Sequence, residues 1–136
     1  MRATRGFQEI PHTADWALKV WAEDLPSLFA EAAEGMNALS GLELAPAPRI
    51  ERTFQHEAAD DETLLVSFLS ELIYAREQDN LGFDAFHIDL QPGQIIAKMQ
   101  GAALTSVEKP IKAVTFHNLR IIRTDRGCET EIVFDV

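Results

Sequence analysis

The amino-terminal third of the chain changes from a two-residue to a helical spacing of its apolar positions. Residues 7–10 and 16–22 show the alternation that is typical of half-buried strands. Asp24 then predicts the start of a helix, with Pro26 in a first turn where a missing N–H is harmless. The apolar face of this first helix consists of Leu25, Leu28, Phe29, Ala32, Met36 and Leu39.

A second helical pattern follows a connecting segment and one strand. Residues 42–48 contain two prolines and are predicted to be a loop, and residues 49–56 are predicted to be a strand. The second helix is predicted to begin after Asp60 or Asp61, either of which can cap free N–H groups, and to end at Asn80. Its apolar face consists of Leu64, Leu65, Phe68, Leu69, Leu72 and Ile73.

Beyond residue 82 the alternation is that of strands. The predicted strands span residues 86–90, 94–99, 111–117, 119–124 and 129–135. Residues 101–109 are predicted to be a loop. Two amphipathic helices that cover a mixed or antiparallel β-sheet would bury both apolar faces. The pattern therefore predicts an α+β fold with a single domain over residues 1–136.

Charge and cysteine content narrow the function classes. The net charge is −10, from 22 acidic and 12 basic residues, and such a surface repels phosphate backbones. We therefore expect no direct nucleic-acid binding and favour a cation or a basic protein as partner. Because Cys128 is the only cysteine, the chain can form no internal disulfide, and we expect a reducing, cytoplasmic setting. No apolar stretch approaches the roughly 18 residues that a membrane span needs.

Two segments carry carboxylates that could bind a hard cation. Asp15 ends the short segment at 11–15 between the first two predicted strands, where it could supply oxygen ligands or simply close a turn, and the turn is the commoner role. Asp135 is followed by Val136, whose α-carboxylate would add a second anionic group. Such a pair repels itself unless it is solvated or bridged by a cation. The alternative is a frayed, solvated terminus.

A third segment, residues 111–117, has strand faces of mixed polarity. Lys112, Val114 and Phe116 share one face, and His117 lies on the other. This mixture is typical of an edge strand or of a functional surface. A lone histidine at a strand end is more often structural or solvent-facing than catalytic. No phosphate-binding glycine loop, nucleophile elbow or zinc-binding histidine spacing is present.

Four segments together resemble the archease family, in its order and spacing. The signature His-Thr-Ala-Asp occurs at residues 12–15, and residues 61–74 are similar to the family's second helix. Lys-Ala-Val-Thr, followed by an aromatic residue and His, occurs at residues 112–117, and Val-Phe-Asp-Val occurs at residues 133–136. The resemblance covers nearly the whole chain.

This resemblance implies an accessory role in RNA ligation. Archeases promote the guanylylation and repeated turnover of an RtcB-type RNA ligase in tRNA splicing and RNA repair, with no established catalysis of their own. The family's calcium-type metal site corresponds here to Asp15, Asp135 and Val136. His12, Lys112 and His117 are expected to support that site or to face the partner.

Two other hypotheses belong to different function classes. A small metal-dependent hydrolase would use His12, Asp15 and His117 with a metal-activated water. A chaperone-like binding module would bind many unfolded clients and would be insensitive to changes at Asp15. Turnover of a substrate by the isolated protein would support the hydrolase, and broad affinity for unfolded clients would support the chaperone.

Overall fold

The computed structural model describes residues 3–10 and 16–136. The elements in chain order are β1 (Gly6–Ile10), β2 (Trp16–Ala22), α1 (Leu25–Ser40), β3 (Leu42–Leu44), β4 (Ile50–Glu57), α2 (Asp61–Asp79), β5 (Leu81–Gln91), β6 (Gln94–Val107), β7 (Ala113–Val114), β8 (Ile122–Thr124) and β9 (Gly127–Asp135). Every strand pairing among these elements is antiparallel. The predicted α+β class is therefore confirmed.

The strands form two sheets. One has the order β1-β2-β9-β7, with β8 also paired to β9, and the other is built around β6. The long β6 pairs with β5 along one edge, and with β4 and then β3 along the other. Both helices contact strands of both sheets. The apolar faces of the helices and the inner faces of the sheets thus share one core.

The first helix begins and ends as its sequence predicts. The Asp24 carboxylate accepts a hydrogen bond from the Ser27 amide at 2.8 Å, which caps the amino terminus. Gly41 ends the helix in the left-handed region, at φ 64°, where glycine carries no Cβ penalty. At Gly35 a Cβ would lie 2.5 Å from Leu18 Cδ2, so the missing side chain lets α1 approach β2 closely.

The second helix supplies the centre of the core. All six residues of its predicted apolar face are buried. Phe68 stacks on Phe29 of α1 at 6.2 Å between ring centroids and meets Phe86 of β5 edge-on at 5.9 Å. Asp60 caps the amino terminus, and Asn80 ends the helix at φ 54°. Within the described residues, neither helix has the combination of length and apolar content that crossing a bilayer requires.

Two predicted loops contain strands, so the loop predictions were wrong at residues 42–44 and 101–107, whereas residues 45–48 and 108–109 lie outside the strands, as predicted. Residues 42–44 form β3, because Leu42 and Leu44 pack with Leu104 around Gly82. Residues 101–107 belong to β6, where residues 101–103 pair with β5 and residues 104–107 pair with β3. At Gly101 a Cβ would lie 1.8 Å from the Gly82 carbonyl oxygen, so the small residues that resembled a loop are needed for close backbone packing.

Two predicted strands are much shorter than their sequence patterns. Of residues 111–117 only Ala113 and Val114 pair as a strand, and of residues 119–124 only Ile122–Thr124 do. Between them the chain turns at residues 117–118, with Asn118 at φ 52°. The alternation of apolar and polar residues predicted which side chains share a face. It could not show that these segments pair with β9 only at the two ends of its edge.

Candidate functional site

The start of β2, the end of β9 and the short β7 meet at one end of the five-stranded sheet. Trp16 is the register partner of Phe134, and on the other side of β9 Val114 is the partner of the same residue. The Lys112 amide donates to the Asp135 carbonyl at 2.8 Å. Antiparallel pairing therefore brings the start of β2 together with two segments that lie more than 90 residues further along the chain.

The end of β9 combines a fixed backbone with a free side chain. The backbone of Asp135 is held by β7, where Ala113 is its register partner, whereas its side chain is exposed. Phe134 is fully buried, and Val136 packs against the core from a half-buried position. The predicted attachment of this chain end to a sheet is confirmed. The Asp135 carboxylate is therefore anchored but available to a ligand.

His12 and Asp15 lie outside the described residues, so their predicted roles stay predictions. The residue that follows Asp15 in the chain, Trp16, is the first residue of β2 and pairs opposite the residue before Asp135.

A lysine contacts Trp16 at this end of the sheet. Lys109 Nζ lies 4.9 Å from the centroid of the Trp16 ring, a distance typical of a cation–π contact. The Lys109 amide also donates to the Ser40 carbonyl at 3.0 Å, which ties this segment to the end of α1. The sequence reading missed Lys109 because no local spacing relates it to Trp16. In the sequence, the only link between Lys109 and the candidate site was its position three residues before Lys112.

Lys112 and His117 are not equally close to Asp135. Lys112 is exposed and hydrogen-bonds through its backbone to the residue that carries the carboxylate. His117 lies beyond β7 in the turn, and its contacts are with Thr115 and Asn118 in the same segment. The structure thus places Lys112 beside Asp135, whereas His117 lies further along the edge of β9.

A groove runs along the part of the β9 edge that β7 and β8 leave uncovered. Its volume is about 510 Å³, and its walls include Phe116 and Ile122, which are 57% and 50% exposed. Charged residues of both signs line it, among them Lys19 and Glu131. The groove is therefore amphipathic.

The loop that forms one wall of the groove is held at two points. Glu62, in the first turn of α2, accepts a hydrogen bond from the Ile121 amide at 2.9 Å. Thr130 of β9 donates from its hydroxyl to the Arg120 carbonyl at 2.9 Å. These two contacts position residues 120–121 although no strand pairing does.

Carboxylate and terminal oxygens are suitable ligands for calcium, which takes six to eight oxygens. Across residues 3–10 and 16–136, no three His, Cys, Asp or Glu side chains form a ready ligand set. The exposed Asp135 carboxylate fits the donor chemistry, and this one residue leaves most of the six to eight calcium positions to other groups. Cys128 is not a candidate, because it is buried at the opposite end of β9 from Asp135 and burial raises the pKa of its thiol.

A family model and curated relatives match nearly the whole chain. The model of the Archease protein family (MTH1598/TM1083) matches residues 7–136. Protein archease of Methanopyrus kandleri is 31% identical over 139 residues, which covers 96% of this chain and 99% of the relative. Protein archease of Methanosarcina mazei is 31% identical over 144 residues and is 95% covered.

Two solved structures share the fold. The solution structure of protein 1598 from Methanobacterium thermoautotrophicum aligns with a TM-score of 0.70 and 23% identity, over 96% of this chain and 99% of that one. The crystal structure of an archease from Thermotoga maritima, described as a possible chaperone, aligns with a TM-score of 0.71 and 22% identity, over 95% and 96%.

Proposed function

This chain belongs to the archease family, and we propose that it is an accessory activator of an RtcB-type RNA ligase. In this role it promotes the guanylylation and repeated turnover of the ligase in tRNA splicing and RNA repair. It acts on the ligase in the cytoplasm and performs no catalysis itself. The net charge of −10 supports a protein partner over direct contact with RNA.

One structural observation carries this proposal. The segments that resemble the family's late and terminal signatures, residues 112–117 and 133–136, are paired with each other at the end of β9. The first residue of β2, which follows the signature at 12–15, pairs with the same strand. Residues that form one site have to lie close together in space, and this strand register supports a common site for all three segments.

We further propose that this site binds a calcium-type divalent cation through Asp15, Asp135 and Val136. The support is the exposed carboxylate of Asp135 on a backbone that β7 holds in place. Three protein groups leave several of the six to eight calcium ligands to water or to the ligase. Lys112 and His12 would support the site, and His117 would face the partner from the turn beyond β7.

A guanylylation assay tests the activator role. A cognate RtcB-type ligase is incubated with labelled GTP and a divalent metal, with and without substoichiometric protein. We expect labelled GMP to accumulate on the ligase faster, over many turnovers, when the protein is present. An equal rate in both reactions would contradict the proposal, and the matched control is the same protein with Asp125→Ala, an exposed change in the β8–β9 turn.

A chaperone-like role is the second candidate, because of the amphipathic groove with its exposed Phe116 and Ile122. Exposed apolar side chains beside an open strand edge suit the binding of unfolded segments. Suppression of aggregation of several unrelated unfolded clients, lost in Phe116→Ser, would support this role. Ligase activation that survives Phe116→Ser while client binding is lost would separate the two functions.

A further inference from the structure

Arg76 holds the carboxyl-terminal ends of the two helices together. It lies in the last turn of α2, and its Nη1 donates to the Ser40 hydroxyl at 3.1 Å. Its Nη2 donates to the Asn37 side-chain oxygen at 2.7 Å. Both acceptors belong to the last turn of α1, so the guanidinium sits where the helix dipole favours a positive charge.

Both of these acceptors are neutral. Arg49 and Arg52 pair with Asp84 and Asp79 at the surface. Within the described part of the chain, Arg76 forms no such ion pair. Burial lowers its pKa to about 10, so it is still charged at neutral pH. A cation removed from water without an anionic partner is costly, and a bound anion would relieve that cost.

A pocket of about 270 Å³ opens beside this guanidinium. Its apolar wall consists of Ile73, Leu104, Val107, Pro110 and Ile111, and Arg76, Glu77 and Asn80 provide its polar lining. A volume slightly below the range of about 300–1,000 Å³ for ligand pockets suits only a small molecule. An apolar wall beside a cation and an amide suits an amphipathic anion, and the Glu77 carboxylate in the same lining limits the charge that this anion can carry.

We propose that this pocket, the Arg76 pocket, binds a small monocarboxylate with an apolar body. The carboxylate would accept hydrogen bonds from the guanidinium, and the apolar part would lie against Leu104 and Ile111. Glu77 lines the same pocket from an exposed position. Glu108 places its carboxylate against Gly41, close to the acceptor Ser40. These two glutamates would repel a multiply charged anion such as phosphate, so the pocket favours a single negative charge.

The test uses the full chain and benzoate as the probe, followed by amide chemical shifts. We expect saturable shifts of the residues around Leu104 and Ile111, with benzoate added to about 50 mM, well above a millimolar Kd. Benzamide, the neutral analogue, and inorganic phosphate should not produce them. If benzoate causes no saturable shift there, or if benzamide binds equally well, the proposal is wrong.

Two substitutions, compared with one matched control, identify the side chains that bind benzoate. Arg76→Gln should weaken benzoate binding by at least about tenfold, the factor expected for one charge-assisted hydrogen bond. Arg126→Gln, at an exposed turn far along the chain, is the matched control and should bind normally.

Glu77 is exposed, so the Glu77→Gln protein should fold normally. It therefore tests the proposal even if Arg76→Gln fails to fold. It should tighten benzoate binding by removing a like charge. Unchanged or weaker binding in Glu77→Gln would contradict the proposed electrostatics. None of these outcomes depends on ligase activation, so the two proposals can fail separately.

Discussion

The two sheets differ in how completely their strands are paired. In the sheet around β6, the central strand is paired along both edges, by β5 on one side and by β4 and β3 on the other. In the other sheet, β7 and β8 cover only the two ends of the outer edge of β9. Between them one backbone hydrogen bond, from Thr115 to Val133, joins the loop to the strand.

This difference indicates where stability and function are concentrated. Strands pair with residues 94–101 of β6 on both edges, and Ile95, Ala97 and Met99 of this range lie in the core, so changes there should act on folding. Incomplete pairing along β9 leaves Phe116 and a groove accessible, and the Asp135 side chain at the paired end of this strand is exposed, so changes there should act on binding. The changes at the metal ligands, at the chain end and at Ile95 test this separation.

The largest effect is expected at the proposed metal ligands. Asp15→Ala, and separately Asp135→Ala, should abolish stimulation of ligase guanylylation and weaken cation binding by more than about tenfold, because affinity depends on the number of charged ligands. Melting temperature should change little for Asp135→Ala, because its side chain is exposed. Cation binding by calorimetry and labelled GMP on the ligase provide the two readouts. A stable Asp15→Ala protein with normal stimulation would remove Asp15 from the site.

Extension of the chain beyond Val136 should also reduce activation strongly. It converts a terminal carboxylate into a neutral amide carbonyl and leads new backbone away from a paired strand end. We expect weak or no activation from a protein with added carboxyl-terminal residues, and recovery after their traceless removal. An amino-terminal addition of equal length is the control. Equal activity of both extended forms, with equal cation binding, would show that Val136 is not a ligand.

In the sheet around β6, we expect a change to lower stability and to leave ligase activation unchanged. Ile95 is fully buried in β6, and Ile95→Ala should lower the free energy of unfolding by about 2–5 kcal/mol through the lost burial and the cavity. Ligase activation per folded molecule should remain unchanged. Denaturant unfolding measures the first quantity, and Lys98→Ala on the exposed face of the same strand is the control. Loss of specific activity in a folded Ile95→Ala protein would show that the two sheets are functionally coupled.

The smallest effect is expected at the cap of α1, and it depends on pH. The Ser27 amide lowers the pKa of Asp24 from its ordinary value of 3.8, so the cap stabilises the folded state above that value. This contribution is lost as the pH falls through the lowered folded pKa. Asp24→Ala should therefore lower the free energy of unfolding by about 1 kcal/mol at pH 7 and by less in acid. A difference that grows towards low pH would contradict this assignment.

Local sequence signals predicted the helices well, because a helix is a local structure. Asp24 and Asp60 cap the two helices, and the apolar stripe of α2 is buried as its spacing predicts. Strand alternation was less informative at residues 42–44 and 101–107, because small or sparse side chains hid the pairing with distant strands. The candidate metal ligands were identified from acidic residues and from the resemblance to the archease family. No local pattern in the sequence indicated that Lys112 and His117 are separated in the structure.

The sequence by itself determined the α+β class, the helix ends, the acidic surface and the segments of candidate chemistry. These properties depend on local spacing, on capping side chains and on a count of charges. Only the tertiary structure decided that β9 joins Trp16 to the end of β7, that Lys109 lies over Trp16, and that Arg76 lines a pocket while its two hydrogen bonds go to neutral groups of α1. These are contacts between residues far apart in the sequence, and they depend on strand register and helix packing, which no local pattern encodes.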